Sequence, residues 1–294
     1  MRWTAALAAL TASWGLIAVL VAAVSLDAEA LAFWRLAIAA VTLAVVALLA
    51  GRLSLLRPAG HLGPLIALGV VQGAHWLFFF VCVKEGSVAL AVLTFTAAPL
   101  LIALAAPLWL PDRAGRVAHL ALVPGAAGVV LVVIAGQNGI AYSGWAIVAG
   151  LGSAATYAAL VILSKRLLLA AVAPFTVAFW DCLAGAVVVA PVLLLAGRVL
   201  PVGVDELGAV LLLGMVLTGL STLAYAFLLR RVSAPIAGVL TFLEPVCAIA
   251  LAWPLVGERP GLATLAGGVL VLVAGLAVVA SDWPCRPARL RSAS

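Results

Sequence analysis

Four strongly polar side chains interrupt long apolar runs of this 294-residue chain: Arg35, His75, Asp181 and Glu244. Each is of a type that performs acid–base or ion-pair chemistry. Surrounded by hydrocarbon, such a group must face a cavity or a partner to escape the cost of desolvation. Glu244 sits at the centre of the run 239–255, VLTFLEPVCAIALAWPL. Its carboxylate can pair with the amine of a solute or carry a proton; the plainer reading is a protonated side chain bonded within the bundle. His75 lies at mid-run beside Gln72 and Trp76, with Phe79 one turn on. It is the strongest single candidate for a functional residue, against the alternative of a neutral imidazole bonded to a backbone carbonyl. Arg35 and Asp181 stand about two turns from the ends of their runs, where a charged side chain can snorkel towards water. Both are expected to be gating or structural charges.

Aromatic and hydroxyl side chains accompany these groups. Trp14 follows Thr11 and Ser13, Tyr157 follows Ser153 and Thr156, and Tyr225 follows Ser221 and Thr222. Small polar groups interleaved with large aromatics suit a cavity that accepts an amphipathic solute, whereas ordinary packing would have each hydroxyl bond its own helix. With Thr94 and Thr241, which occupy equivalent places in two similar stretches, the candidate cavity set is Trp14, Gln72, His75, Trp76, Phe79, Thr94, Tyr157, Ser221, Tyr225, Thr241 and Glu244.

The elements that must position these residues are membrane spans. The chain is 67% hydrophobic and 9% charged, with mean hydropathy +1.33, far outside the range of soluble domains. The runs are continuous and about 20 residues long, the length of a helix that crosses a bilayer; barrel strands would alternate over about ten. Ten spans are expected, at 4–25, 30–50, 62–83, 86–109, 117–136, 143–164, 174–196, 207–229, 232–256 and 261–281. The first resembles a signal peptide in its charged start and small-residue end, but an internal repeat requires it as a span.

The repeat is direct. Run 92–108, VLTFTAAPLLIALAAPL, lies on 239–255 without a gap at an offset of 147, with ten of seventeen positions identical. Ala32-Phe33-Trp34 falls on Ala178-Phe179-Trp180 at an offset of 146, and Gly73 on Gly219 likewise. Residues 1–140 and 141–281 thus form two five-helix halves. Because five is odd, the second half enters the membrane from the opposite side, an inverted-topology repeat of the kind secondary transporters use to alternate access around one site. A duplication kept only for packing is the bland alternative. Pro99 and Pro245 place a central proline in both halves, and a helix can hinge where a backbone donor is missing.

With the N terminus cytoplasmic, twelve of the sixteen Lys and Arg residues fall on the inner side and four, Arg35, Lys84, Arg198 and Arg259, on the outer. That bias predicts both termini inside. The tail 282–294 reads as disordered. The net charge of +6 is accounted for by topology, so nucleic acid is not an expected partner. Cys82, Cys182, Cys247 and Cys285 have no CxxC spacing, and neither disulfides nor a metal are indicated. No phosphate-binding GxxxxGK[ST] loop is present, so ATP is not the direct driver. A bis-histidyl haem would need two facing intramembrane histidines, but His61 and His119 read as loop residues. No cofactor and no enzymatic activity are expected. The expected partners are a small-molecule solute, the lipid bilayer and, as a candidate coupled ion, the proton.

Ser13-Trp14-Gly15 in the first span, and Glu244-Pro245 running on to Gly257-Glu258-Arg259, together with two inverted fives, resemble the EamA-type branch of the drug/metabolite transporter superfamily. Within it the chain looks most like the YddG-type amino-acid exporters of bacterial inner membranes. The chain departs from the pattern after the fourth span, where Leu110-Pro111-Asp112-Arg113 replaces the expected Gly-Glu-Arg. The resemblance implies a basket of helices whose cavity is lined by spans one, three, four, six, eight and nine, with the fourth and ninth rocking. It implies export of amino acids, aromatic or otherwise hydrophobic, or of similar metabolites; a broad drug or cation exporter is the alternative. If Glu244 serves transport, Glu244→Gln abolishes or uncouples it; if the carboxyl only bonds within the bundle, solute flux in proteoliposomes is largely intact.

Overall fold

A computed structural model describes residues 2–86, 91, 94, 95, 97–111, 116–135, 143–196, 204–244, 246, 247, 250, 251 and 262–281. Every regular element among them is helical. The helices are α1 (Arg2–Ser13), α2 (Gly15–Ala23), α3 (Ala28–Leu49), α4 (Leu62–Glu85), α5 (Ala97–Trp109), α6 (Arg116–Ala135), α7 (Gly144–Leu169), α8 (Pro174–Leu195), α9 (Val204–Leu211), α10 (Ser221–Leu229), α11 (Ala234–Leu240) and α12 (Leu262–Ser281). A 3-10 turn, Leu53–Leu56, follows α3, and a π-helical segment, Leu212–Leu220, joins α9 to α10.

Five of the described helical stretches are long and apolar enough to cross a membrane: Ala28–Leu49, Leu62–Glu85, Gly144–Leu169, Pro174–Leu195 and Leu207–Leu229. Ala97–Trp109 and Leu265–Ala277 are shorter apolar helices. Each helix starts where the local chemistry allows. Ser143 caps α7 by accepting from the Ala146 amide at 3.1 Å, and Pro174, whose missing donor costs nothing at a helix start, opens α8. His119, read from sequence as a loop residue, lies in the first turn of α6 and is exposed; this helix begins one residue before the expected limit.

The two-repeat organisation is visible in the element bounds. Adding 146 to Ala28–Leu49 gives Pro174–Leu195, and adding it to Arg116–Ala135 gives Leu262–Ser281. Contacts obey the same operation. Helix α4 packs on α8 while the π segment packs on α3, and α4 packs on α7 while α10 packs on α1. The pairs α3–α8 and α6–α12 each join equivalent helices. Most of these pairings cross between halves, so the halves interleave.

Small residues permit the closest approaches. A Cβ at Gly73 would stand 3.1 Å from the Gly185 carbonyl, and one at Gly219 would stand 3.2 Å from the Ala39 Cα. These are one contact seen twice, since Gly73 and Gly219, and Ala39 and Gly185, are each 146 apart. Such contacts let bilayer helices associate through dispersion where no hydrophobic effect operates between them. The outward faces of α6 and α12, with exposed Leu120, Val123, Leu262 and Leu276, suit lipid, and Gly128 of α6 packs against the Gly267 backbone of α12.

Polar ties fix the ends. Buried Lys165 donates to the Leu229 and Val232 carbonyls, both at 2.8 Å, joining α7 to the C-terminal end of α10, where carbonyls lack helical partners. Thr176 and Trp180 of α8 donate to Leu55 and Leu56. Gly69 supplies a test of the packing. Its added Cβ would overlap Ala184 and stand 2.7 Å from the Gly185 nitrogen, whereas Gly63 has nothing within 4 Å. Gly69→Val should therefore destabilise by about 1–3 kcal/mol and Gly63→Ala by less than about 0.5 kcal/mol, measured by chemical unfolding in detergent micelles.

Candidate functional site

One cavity of about 60 Å³ opens at the centre of the bundle. Its wall holds Trp14, Arg35, Gln72, His75, Trp76, Phe79, Tyr157, Asp181, Ser221, Tyr225 and Glu244, bringing together nine of the eleven residues expected there. Thr94 and Thr241 are not in the wall. Both are buried; the Thr94 hydroxyl donates to the Ala91 carbonyl at 3.1 Å and the Thr241 hydroxyl to Gly238 at 2.7 Å.

Six pairs of wall residues are related by the offset of 146: Trp14 and Leu160, Arg35 and Asp181, Gln72 and Thr218, His75 and Ser221, Trp76 and Thr222, Phe79 and Tyr225. The cavity therefore lies on the pseudo-twofold axis. Its two sides differ in chemistry. The first half contributes a guanidinium, an imidazole, an amide and aromatic rings, and the second half contributes two carboxyls, hydroxyls and two phenols.

Arg35 and Asp181 do not reach out to the membrane surfaces. They are 1% and 3% exposed and face the cavity, so α3 and α8, the second and seventh expected spans, join the six spans expected to line it. The Arg35 guanidinium carbon lies 3.7 Å from the centre of the Trp76 ring and 5.6 Å from that of Phe80, and Nε donates to the Thr218 hydroxyl at 2.9 Å. A ring face attracts a cation most strongly where water is excluded. Thr218 in turn donates to the Leu213 carbonyl, five residues earlier, at 2.7 Å, across the π-helical segment. Its one proton is thereby committed, and its lone pairs face Arg35. The Nη1 atom of Arg35 and Oδ1 of Asp181 are buried without a hydrogen-bond partner among the described residues.

His75 takes the bond that the plainer expectation described. Its Nδ1 lies 3.1 Å from the Ser153 carbonyl and 3.1 Å from the Ser153 hydroxyl. A protonated Nδ1 donates to the carbonyl, whereas an unprotonated Nδ1 accepts from the hydroxyl, so Ser153 can hold either neutral tautomer. The ring also stands in an aromatic cluster with Trp76, Phe79, Phe95 and Tyr157 at centroid distances of 4.7–6.2 Å. The imidazole is held by the backbone and lines the cavity at once. Phe95, Ser164, Thr218 and Thr222 also line the wall, with apolar Ile17, Leu160, Val177, Ala178, Leu217 and Ala226, without having been candidates. Repeat arithmetic was the available signal for Thr218 and Thr222, as partners of Gln72 and Trp76.

Two helices break beside the cavity. Between α1 and α2 the Trp14 amide bonds back three residues to Thr11, and the Trp14 indole donates to Ser221 Oγ at 2.5 Å while its ring meets Tyr225 at 5.4 Å. After α11 the chain tightens into three-residue turns, Thr241 to Gly238, Phe242 to Val239 and Glu244 to Thr241. The Thr11 hydroxyl lies 3.0 Å from the Leu240 carbonyl and 3.1 Å from the Leu7 and Ala8 carbonyls of its own helix, with one proton to share among them. The turn covers Thr241 and Phe242, and Leu243 and Glu244 are helical again. Pro245 lies outside the described residues, and Pro99 is buried near the start of α5.

The sequence pattern of the EamA-like transporter family matches residues 1–134 and again 144–280. The chain belongs to that family. Its EamA fold also superposes on a solved chain, titled only as the crystal structure of a protein, with a TM-score of 0.79 over 95% of this chain and 96% of that one, at 21% identity. No curated protein sequence matches it. Family membership makes the chain a multi-pass membrane transporter of small molecules.

The contact between Trp14 and Ser221 joins the broken first span to the second-half wall. In a double-mutant cycle, Trp14→Phe and Ser221→Ala should couple by about 0.5–1.5 kcal/mol in unfolding measured in micelles; independent effects would show that the bond contributes nothing.

Proposed function

We propose that this EamA protein exports amino acids, hydrophobic or aromatic ones included, across a bacterial-type inner membrane by alternating access, with both termini cytoplasmic. The observation that carries the reading is the presence of both signs of charge in one apolar-walled cavity. An amino acid offers a carboxylate to Arg35, whose Nη1 has no described partner, and an ammonium to Asp181 or Glu244. Its side chain meets Trp14, Trp76, Phe79, Phe95, Tyr157 and Tyr225. A bidentate guanidinium suits a carboxylate in particular, because its planar fork matches two oxygens.

A broad exporter of lipophilic cations is the second reading, favoured by the two carboxyls and the aromatic wall. Arg35 counts against it. A buried guanidinium in the same small space repels a cation that brings no anionic group, and at a few ångströms in a poorly screened interior that repulsion is worth several kcal/mol.

In the proposed cycle the EamA protein moves its solute down a gradient or against a coupled ion, with the breaks at Trp14 and Thr241–Phe242, and Pro99 and Pro245, as the bending points. The test is efflux from liposomes preloaded with labelled amino acids, with and without a proton gradient. Wild-type protein should release at least one amino acid faster than protein-free liposomes, and Arg35→Gln should slow that release by roughly tenfold or more. If no amino acid leaves faster than from empty liposomes, the assignment is wrong. Release blocked by lipophilic cations but not by other amino acids would favour the second reading.

A further inference from the structure

Two donors in the cavity wall lack acceptors, and they belong to one contact. The indole Nε1 of Trp76 and Nη1 of Arg35 are both buried without a hydrogen-bond partner among the described residues. A buried indole N–H ordinarily finds an acceptor, and leaving it bare is costly. Here the two residues are packed together. The guanidinium carbon lies 3.7 Å from the centre of the Trp76 ring; Nη1 is one bond from that carbon and Nε1 is on the rim of that ring, so the two donors are near neighbours. Surrounding groups fix both. The Trp76 ring meets His75 at 4.7 Å, Phe79 edge-on at 5.9 Å and Phe80 in a stack at 5.3 Å, and Arg35 is anchored through Nε on Thr218 at 2.9 Å. Neither donor can satisfy the other, since a guanidinium and an indole have N–H groups and no acceptor.

The group that satisfies both must accept from each. An ammonium cannot, because it brings only further donors. A carboxylate can: it has two oxygens, each accepting at about 2.9 Å, and its charge complements the guanidinium. We propose that Trp76 determines specificity: its indole N–H and the Arg35 guanidinium form a clamp made only of donors, which holds the solute carboxylate with one oxygen on Nε1 and the other on Nη1. The clamp presupposes the amino-acid reading above and adds a second recognition group to it. The repeat supplies the contrast. The equivalents of Arg35 and Trp76 across the axis, Asp181 and Thr222, also line the cavity and offer acceptor oxygens instead. The clamp therefore sets which end of a zwitterion turns towards α3 and α4. An amine that lacks a carboxylate leaves both donors bare, and Trp76 contributes nothing but its ring to binding it.

The test is calorimetric binding to the full chain in detergent. The common amino acids are titrated first, and the tightest is compared with the amine that lacks only its carboxylate, phenethylamine for phenylalanine or cadaverine for lysine. Trp76→Phe keeps a ring for Arg35 and removes the N–H. It should weaken the amino acid by about tenfold and leave the amine unchanged. Equal weakening of both, or an amino-acid affinity indifferent to Trp76→Phe, overturns the proposal and leaves the amino-acid reading standing. If no amino acid binds folded wild type, that reading falls and the proposal with it. Should Trp76→Phe not fold, or the amine bind too weakly to compare, isotope-labelled indole N–H groups followed by NMR decide. In Trp14→Phe, where Trp76 is the remaining tryptophan among the described wall residues, the amino acid should move one indole N–H resonance downfield and the amine at the same concentration should not. Absence of that amino-acid-specific shift overturns the proposal.

Discussion

A guanidinium cannot be left bare in hydrocarbon, and the interior of this protein is arranged around that constraint. Arg35 on α3 meets the face of Trp76 on α4 and the hydroxyl of Thr218 in the π segment. Three helices are therefore tied to one charge. The π-helical winding, which adds a residue to each turn, accompanies the Thr218 to Leu213 bond that turns the hydroxyl oxygen towards Arg35. Segment Leu212–Leu220 in turn fits against α3 because Gly214 and Gly219 offer no Cβ to Ile38 and Ala39. Each feature is weak alone. Together they hold a charge in place with one edge still open to the cavity.

The pseudo-twofold axis explains why that charge has a counterpart. The repeat places Asp181 where Arg35 stands in the other half, so duplication followed by divergence produces opposite charges facing one space. The same divergence turned His75 into Ser221 and Phe79 into Tyr225, or the reverse. A symmetric cavity would bind a symmetric solute best. An EamA cavity with an acid side and a basic side instead imposes an orientation on a polar one.

Much of this was legible in the sequence because the bilayer leaves few alternatives. Continuous apolar runs forced helices, the offset of 146 marked a two-repeat fold, and the bounds of α3 and α8 differ from the expected limits by at most two residues. Intramembrane polar groups and the aromatic side chains interleaved with them also marked nine wall residues. The roles of Arg35 and Asp181 were not legible. Depth along a span says that a charge could reach the surface, but only the packing of α3 against α8 shows that both side chains turn inwards. The π segment and the break at Trp14 escaped for a related reason: hydrophobic periodicity in a bilayer helix is weak, since lipid-facing and protein-facing residues are alike apolar. Thr94 and Thr241 illustrate the converse. A hydroxyl within a span is satisfied by its own helix, so its presence carries little information about a cavity.

The size of the cavity adds a last step. About 60 Å³ accommodates a handful of waters, at ~10–15 Å³ for each, and an amino acid needs more. The wall must therefore widen before a solute of the proposed class enters. The helices least able to resist are those already broken at the wall, where Trp14 and Thr241–Phe242 exchange regular helical bonds for three-residue turns. Trp14 lies both in one break and in the wall, and Glu244 lies in the wall two residues after the other break; the Thr11 hydroxyl stands between them, 3.0 Å from the Leu240 carbonyl and 3.1 Å from those of Leu7 and Ala8 in its own helix. In the proposed cycle, bending of either span would move a wall residue, and the contact of Thr11 with Leu240 places the two spans side by side. The wall and the bending spans would then share Trp14 and lie two residues apart at Glu244, so that entry of a solute and movement of the spans are linked without a separate gate.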